Sequence, residues 1–484
     1  MIFTSLTFAL FFFIVAAFNY LLPVKYRWTW LLAASIFFYM FSGPAFILVA
    51  LLIILLTYYG GIEIEKYGGK KVANQLYIVT IVANAALLIF FKYTNFFTSV
   101  AFDSINFMRQ KLFSISNPWH NSLIVNIAAP LGISYITFQA MGYLIEIKRG
   151  NHSAEKKFGY LATFLLFFPK IIAGPVERAH RFLPQITEVK KFHYNNISTG
   201  LKLIVFGLFK KLVVADRLSI YVSAVLDNAD HHNGITLIIG VVFYVFQIYA
   251  DFSGYTDMAL GLGKILGYDL IQNFNRPLFA KSVTEFWRKW HISLSTWFAD
   301  YFYNPIAIAK RDWGNWSVVY AFFLTFIVLG FWHGANWTFI VFGALQGLVL
   351  TAEFFTRKQR KNIRKKIPVF LNNLAGILFT IGYFAFSLIF FRASSVKEAL
   401  TIVKRIFTAT GGSIYIENPS IILFSIAAIG FFWMVEFKNE YFNELFTLSN
   451  NKHWLVRNCY YCMLLVVILI AGVFDGGEFI YFQF

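Results

Sequence analysis

The chain has 484 residues, of which 58% are hydrophobic, 20% aromatic and only 14% charged, against about 25% charged in a typical soluble domain. Repeated apolar runs near the spanning length of about 20 residues exclude a soluble globular fold and indicate an all-α polytopic membrane protein, organised as one membrane domain over residues 1–484. The net charge of +18 is accounted for by Lys and Arg in cytoplasm-facing loops, and with no basic soluble domain to host it, nucleic-acid binding is set aside.

The apolar N-terminus carries no basic leader and runs too long for a signal peptide, so it reads as a retained first span over 2–22. Spans over 28–42 and 44–60 follow, then the basic stretch Lys66, Lys70 and Lys71 inside. The span 76–97 leads to a polar outside loop, and 122–146 returns to Lys148 and Arg149. Residues 158–172 differ: Pro169-Lys170 interrupts them, Gly174-Pro175 ends them, and both flanks are basic. That predicts a re-entrant piece, which is tolerated where backbone is buried in protein or lines a cavity.

The span 198–224 contains Lys210-Lys211, awkward in lipid, which calls for an interior face or snorkelling. After the span 235–250, the Gly-rich stretch 251–268 reads as a second re-entrant or interfacial piece. Spans 316–332 and 337–354 lead to the basic run 357–366, the strongest inside signal. Spans 369–391, 420–436 and 454–474 complete about eleven crossings, with re-entrant and interfacial helices besides. Both termini are expected outside a cytoplasmic (inner) membrane, with residues 475–484 as an aromatic extracytoplasmic tail. Cys459 and Cys462 read as two buried small hydrophobes on one helix face. No metal site is suggested.

Two histidines each follow a tryptophan: Trp290-His291 and Trp332-His333. His333 sits in an uncharged apolar stretch beside Gly334-Ala-Asn336, a break between two apolar runs. An imidazole at membrane depth is costly unless paired or at a wet cavity, so it marks a functional site, although a structural histidine bonded to a neighbouring helix is the competing reading. His291, in a segment mixing charge with aromatics, reads equally as an interfacial anchor or a site residue. Lys170, Glu177 and Arg178 surround the broken helix, where they either hold the loop or meet phosphates. Asp251, Ser253 and Asp257 lie next to membrane, where a carboxylate orients a histidine or caps a helix.

Six passages together resemble the membrane-bound O-acyltransferase (MBOAT) family, in particular its bacterial polysaccharide-acetylating branch: Pro130-Leu-Gly-Ile-Ser-Tyr-Ile-Thr-Phe-Gln139, Phe168-Pro-Lys-Ile-Ile-Ala-Gly-Pro-Val-Glu-Arg178, Asp251-Phe-Ser-Gly-Tyr-Thr-Asp257, Phe274-Asn-Arg-Pro277, Phe286-Trp-Arg-Lys-Trp-His-Ile-Ser-Leu-Ser295 and Gly330-Phe-Trp-His-Gly-Ala-Asn-Trp337. The resemblance implies a helical bundle in which a cytoplasmic and an outer funnel meet near a catalytic His333, with His291 at the second family position. It implies a cytoplasmic acyl thioester donor, acetyl-CoA, with no bound cofactor. Lys170, Arg178, Arg288 and Lys289 are the donor-binding candidates. The acyl group would pass to an extracytoplasmic SGNH-hydrolase-like partner that esterifies an alginate-like polysaccharide. The terminal Phe479-x-Tyr481-x-x-Phe484 resembles a motif whose tyrosine carries the acyl group. A transporter or flippase for a lipid-linked glycan, or a scaffold of a secretion complex, are the rival readings from other functional classes.

Overall fold

The structure, a computed structural model, describes residues 1–113, 127–416, 418–442, 451, 453–475 and 479–480. The described residues are helical with no strands, and eight helices are long and apolar enough to cross a membrane. The chain forms two compact units.

One unit comprises residues 17–172 and 177–189. Its helix Lys71–Phe113 runs for 43 residues, beyond the expected span 76–97. No glycine or proline interrupts this sequence, so the helix continues where a loop was expected. At 1.5 Å per residue it outruns a hydrocarbon core of about 30 Å. The expected span 122–146 appears as the helix Ile133–Lys148, and residues 122–126 lie outside the described residues. The predicted interruption is present: the helix Phe158–Leu166 stops at Phe167, and a single turn, Phe168–Ile171, follows.

The other unit comprises residues 2–16, 173–176 and 190–484 and holds both tryptophan-linked histidines. Its centre is the 33-residue helix Gly234–Leu266, capped by Asn233 and ended by the left-handed Gly267. The expected re-entrant piece at 251–268 is therefore a continuation of the span. Its glycines serve packing instead of breakage: a Cβ on Gly254 would meet the Gly207 carbonyl at 2.8 Å, and one on Gly261 the Gly200 carbonyl at 2.5 Å. These pairs, seven residues apart on both partners, bring the helix Tyr194–Leu208 into backbone contact, as small residues do between membrane helices. Ser253, deep inside the helix, caps nothing.

The chain after Leu208 widens into a π-helical segment, Phe209–Ala215, before the α-helix Asp216–Leu226 resumes. Such segments insert into otherwise regular helices. Here the segment turns Lys210 and Lys211 inward, as an interior face required. Lys210 pairs with Asp257 at 2.8 Å, and Lys211 with Asp216 and Asp251, each at 2.8 Å.

Among the later helices, Asn315–His333 packs against Trp337–Phe355. A Cβ on Gly343 would stand 2.1 Å from the Phe326 carbonyl, so the two helices touch backbone to backbone. The last helix, Trp454–Ala471, buries only Tyr460, Leu464 and Ile468. Cys459 and Cys462 are exposed, a correction to the expected buried pair: the inward stripe repeats every four residues and passes them by.

Candidate functional site

His333 is the last residue of the helix Asn315–His333. Gly334 leaves the helix with extended backbone, and Asn336 starts the next one by accepting the Thr338 N–H at 3.2 Å. Asn336 also donates to the Ser394 carbonyl at 2.8 Å, which fixes the break against a third segment. The imidazole is buried, with ring contacts to Trp332 at 5.0 Å and Phe391 at 5.2 Å.

His291 stands between two short helices, Val283–Lys289 and Ile292–Phe298. The first is anchored from both ends of its opening turn. Ser282 accepts the Glu285 N–H at 3.1 Å, and Glu353 accepts the Val283 and Thr284 N–H groups at 3.0 and 2.9 Å. A carboxylate at helix N–H groups is favourably placed. His291 is left-handed, with φ 44° and ψ 53°, a conformation that costs an L-residue about 1–2 kcal/mol. The residue is 1% exposed, and its ring meets Phe252 edge-on at 4.6 Å. Burial pushes this imidazole down to about 3.

Trp332 joins the two sites, lying 6.4 Å from the His291 ring and 5.0 Å from that of His333. At the other end, Phe252 lies 5.9 Å from Phe479 of the C-terminal tail. Phe479, Phe252, His291, Trp332 and His333 thus form an unbroken line of rings. The tail is also held by its backbone: Ile480 N–H donates to Asp251 Oδ2 at 2.8 Å, while Asp251 Oδ1 faces Lys211. Phe479 rests on Tyr255 at 4.9 Å, which in turn stacks on Phe3. Asp251, in the middle of its helix, therefore caps nothing; it pairs with Lys211 and grips the tail. Tyr481 lies outside the described residues, one position beyond the gripped Ile480.

Two cavities that share four lining residues lie on the same helices as the histidines. One, of about 420 Å³, has a basic lining that includes Arg288, Arg357, Arg360, Lys361 and Arg364. The other, of about 360 Å³, is largely apolar and is lined by Trp287, Ile292, Phe326 and Leu329, among others. Arg288, Thr284, Phe322 and Leu350 border both. Ile292 adjoins His291 in the chain, and Leu329 precedes His333 by one helical turn. The arrangement suits a ligand with an anionic head and a slender, less polar arm.

The four donor-binding candidates fall in different settings. Arg288 is exposed at the junction of the cavities. Lys289 is engaged within the protein, 2.9 Å from Glu440, which also holds Arg276 at 2.6 Å. Lys170 and Arg178 belong to the other unit. Lys170 is fully buried, hydrogen-bonded to Gln139, with its ammonium over the rings of Phe164 and Phe182, a setting that secures the broken helix. Sequence reading passed over Glu353, Glu440 and Asn273. A signal for Glu353 existed: a lone carboxylate near the end of an apolar span.

The sequence profile of the membrane-bound O-acyltransferase family matches residues 152–396, a range that contains both histidines and all four donor-binding candidates. A peptidoglycan O-acetyltransferase of Helicobacter pylori is 30% identical over 80% of this chain and 74% of its own. A probable alginate O-acetylase of Azotobacter vinelandii is 33% identical over 80% of this chain and 74% of its own. A teichoic acid D-alanyltransferase of Bacillus subtilis is 29% identical over 52% of this chain and 65% of its own. With a matched profile over half its length, its polytopic helical fold and relatives that carry acyl groups to hydroxyls, this chain belongs to the membrane-bound O-acyltransferase family and is a multi-pass O-acyltransferase.

Proposed function

We propose that this enzyme moves an acetyl group from cytoplasmic acetyl-CoA across the inner membrane for the O-acetylation of an alginate-like cell-surface polysaccharide, through an extracytoplasmic SGNH-hydrolase-like partner. The carrying observation is the line of rings from Phe479 to His333. It puts a gripped C-terminal tail and two buried histidines along one path. A basic cavity that shares its border with an apolar one supports a phosphorylated thioester as donor. The names of the relatives support a polysaccharide as final acceptor.

In this reading His333 is the general base. An imidazole nitrogen takes the proton of the acceptor hydroxyl, that of Tyr481, as its oxygen attacks the thioester carbonyl. The carbon–sulfur bond breaks, and the thiolate leaves with the proton returned from the imidazolium. The acetyl group is then a tyrosyl ester on the outer face, where both termini lie, and passes to the partner. His291, uncharged near neutral pH, positions or polarises the reacting carbonyl. Arg288 meets the donor phosphates, with Lys289 beside it held by Glu440.

The deciding experiment compares wild type with His333→Ala and Tyr481→Phe in cells that contain the partner. General-base catalysis contributes about 10²–10⁴-fold, so His333→Ala should lower polysaccharide acetylation by that order while glycan export continues. Tyr481→Phe removes one oxygen and should abolish both acetylation and an acetylated C-terminal peptide in mass spectra. Wild-type acetylation by His333→Ala overturns the enzyme site, and full acetylation by Tyr481→Phe overturns the tyrosyl carrier. Loss of glycan export in both variants would favour a transporter.

A further inference from the structure

Asn273 is fully buried in the stretch that follows the helix Gly234–Leu266. Its side-chain oxygen accepts two bonds from Ser293, the hydroxyl at 2.6 Å and the N–H at 3.3 Å. Its backbone carbonyl accepts the Ile292 N–H at 2.9 Å. Two residues on, Asn275 donates its N–H to the Lys289 carbonyl at 3.0 Å. Residues 273–275 therefore hold the chain on both sides of His291. His291 is one of only two non-glycine residues with positive φ among the described residues. Such a conformation persists only where its surroundings over-determine it. The Ser293 hydroxyl also accepts the Val176 N–H at 2.9 Å, so the clamp is tied to a further segment.

We propose that Asn273 is a positioning residue for His291: it locks the left-handed turn that aims the imidazole at Phe252 and Trp332. The inference rests on the reading that His291 serves acyl transfer. Mechanistically, the asparagine oxygen satisfies both donors of Ser293 without placing a charge in the core. The Asn273 Nδ2 has no hydrogen-bond partner among the described residues, so the oxygen carries the contact. Without that oxygen, the turn relaxes toward right-handed backbone and the imidazole leaves its place beside Phe252.

The test uses the purified full chain, diethyl pyrocarbonate as a histidine probe, and peptide mass spectrometry. In wild type both buried histidines should label slowly. Asn273→Ala should raise labelling of His291 at least fivefold and leave His333 within twofold, with acetyl transfer from acetyl-CoA falling about tenfold. Ser293→Ala removes one of the two donors and should act in the same direction more weakly, and it decides the matter if Asn273→Ala fails to fold. Unchanged His291 labelling in the folded variants, or a parallel rise at His291 and His333, overturns the inference. A selective rise at His291 with wild-type transfer leaves the clamp standing and overturns the catalytic reading of His291 instead.

Discussion

Asp251 and Ile480 lie 229 positions apart, and a single hydrogen bond of 2.8 Å from the Ile480 N–H to the Asp251 carboxylate fixes the end of the chain to the central helix. The next residue after Asp251 is Phe252, whose ring rests on His291, so this bond sets how the tail approaches the histidines. A hydrogen bond to a charged group contributes about 1.5–3 kcal/mol. Asp251→Ala should therefore loosen the tail and lower acetylation of the C-terminal peptide roughly tenfold. Protease cleavage between residues 472 and 484 should accelerate in parallel. Wild-type cleavage and acetylation in this variant would show that the bond does not hold the tail.

The basic cavity should respond to charge. Reversing Arg288 or Arg364, both exposed on its lining, should raise the acetyl-CoA KM several-fold at low salt, a change of about 1 kcal/mol. The effect should shrink as ionic strength rises. An acetyl thioester lacking phosphates should be indifferent to either substitution. Equal sensitivity of both donors would remove the cavity from donor recognition.

His291 predicts a stability trend with pH. Its imidazole titrates near 3 in the folded protein and near 6.5 in an unfolded chain. Above about 6.5 neither state is protonated and the folded protein keeps its full stability. As pH falls from there toward 3, the unfolded chain binds a proton that the folded site refuses, so stability is lost at up to roughly 1 kcal/mol per pH unit. His291→Asn cannot titrate and should lose less. Melting temperatures of the two proteins from pH 7.5 to pH 5 should converge on acidification. Parallel curves would contradict the buried, neutral imidazole.

Packing makes a simpler prediction. A side chain on Gly254 collides with the Gly207 carbonyl at 2.8 Å and the Lys210 Cβ at 2.9 Å. Overpacking of this kind costs about 1–3 kcal/mol. Gly254→Val should lower the melting temperature, whereas the same change at Gly382, which has open space around it, should not. Equal effects at both positions would refute the close approach.

The polytopic helical character and most apolar spans were legible because each is a local property of apolar length and basic flanks, although eight helices, not eleven, are long and apolar enough to cross a membrane among the described residues. The broken helix at 158–171 was legible for the same reason, since proline and glycine act on their own neighbourhood. The continuous helix through 251–266 was not. Gly254, Gly261, Asp251 and Asp257 look like breakers until their partners, Gly207, Gly200, Lys211 and Lys210, are known, and pairing across helices leaves no local trace. The same holds for Glu353, whose role is set by helix Val283–Lys289, 69 or 70 positions away. For the tail, sequence offered an aromatic motif and a side of the membrane, and the grip of Asp251 came only with the fold.

The π-helical segment Phe209–Ala215 gives the molecule a dependence on counting. Adjacent lysines there reach acids at two levels of the neighbouring helix, Asp257 and Asp251, because the wider turn changes the angle between them. Removing one residue from the segment would restore a regular helix with nearly the same composition. It would also rotate Lys211 away from Asp251 and leave the carboxylate that holds the Ile480 N–H without its neutralising ammonium. The length of a seven-residue segment in mid-chain thus bears on whether Phe479 and Ile480 stay docked, and a single deletion there should loosen them as Asp251→Ala does.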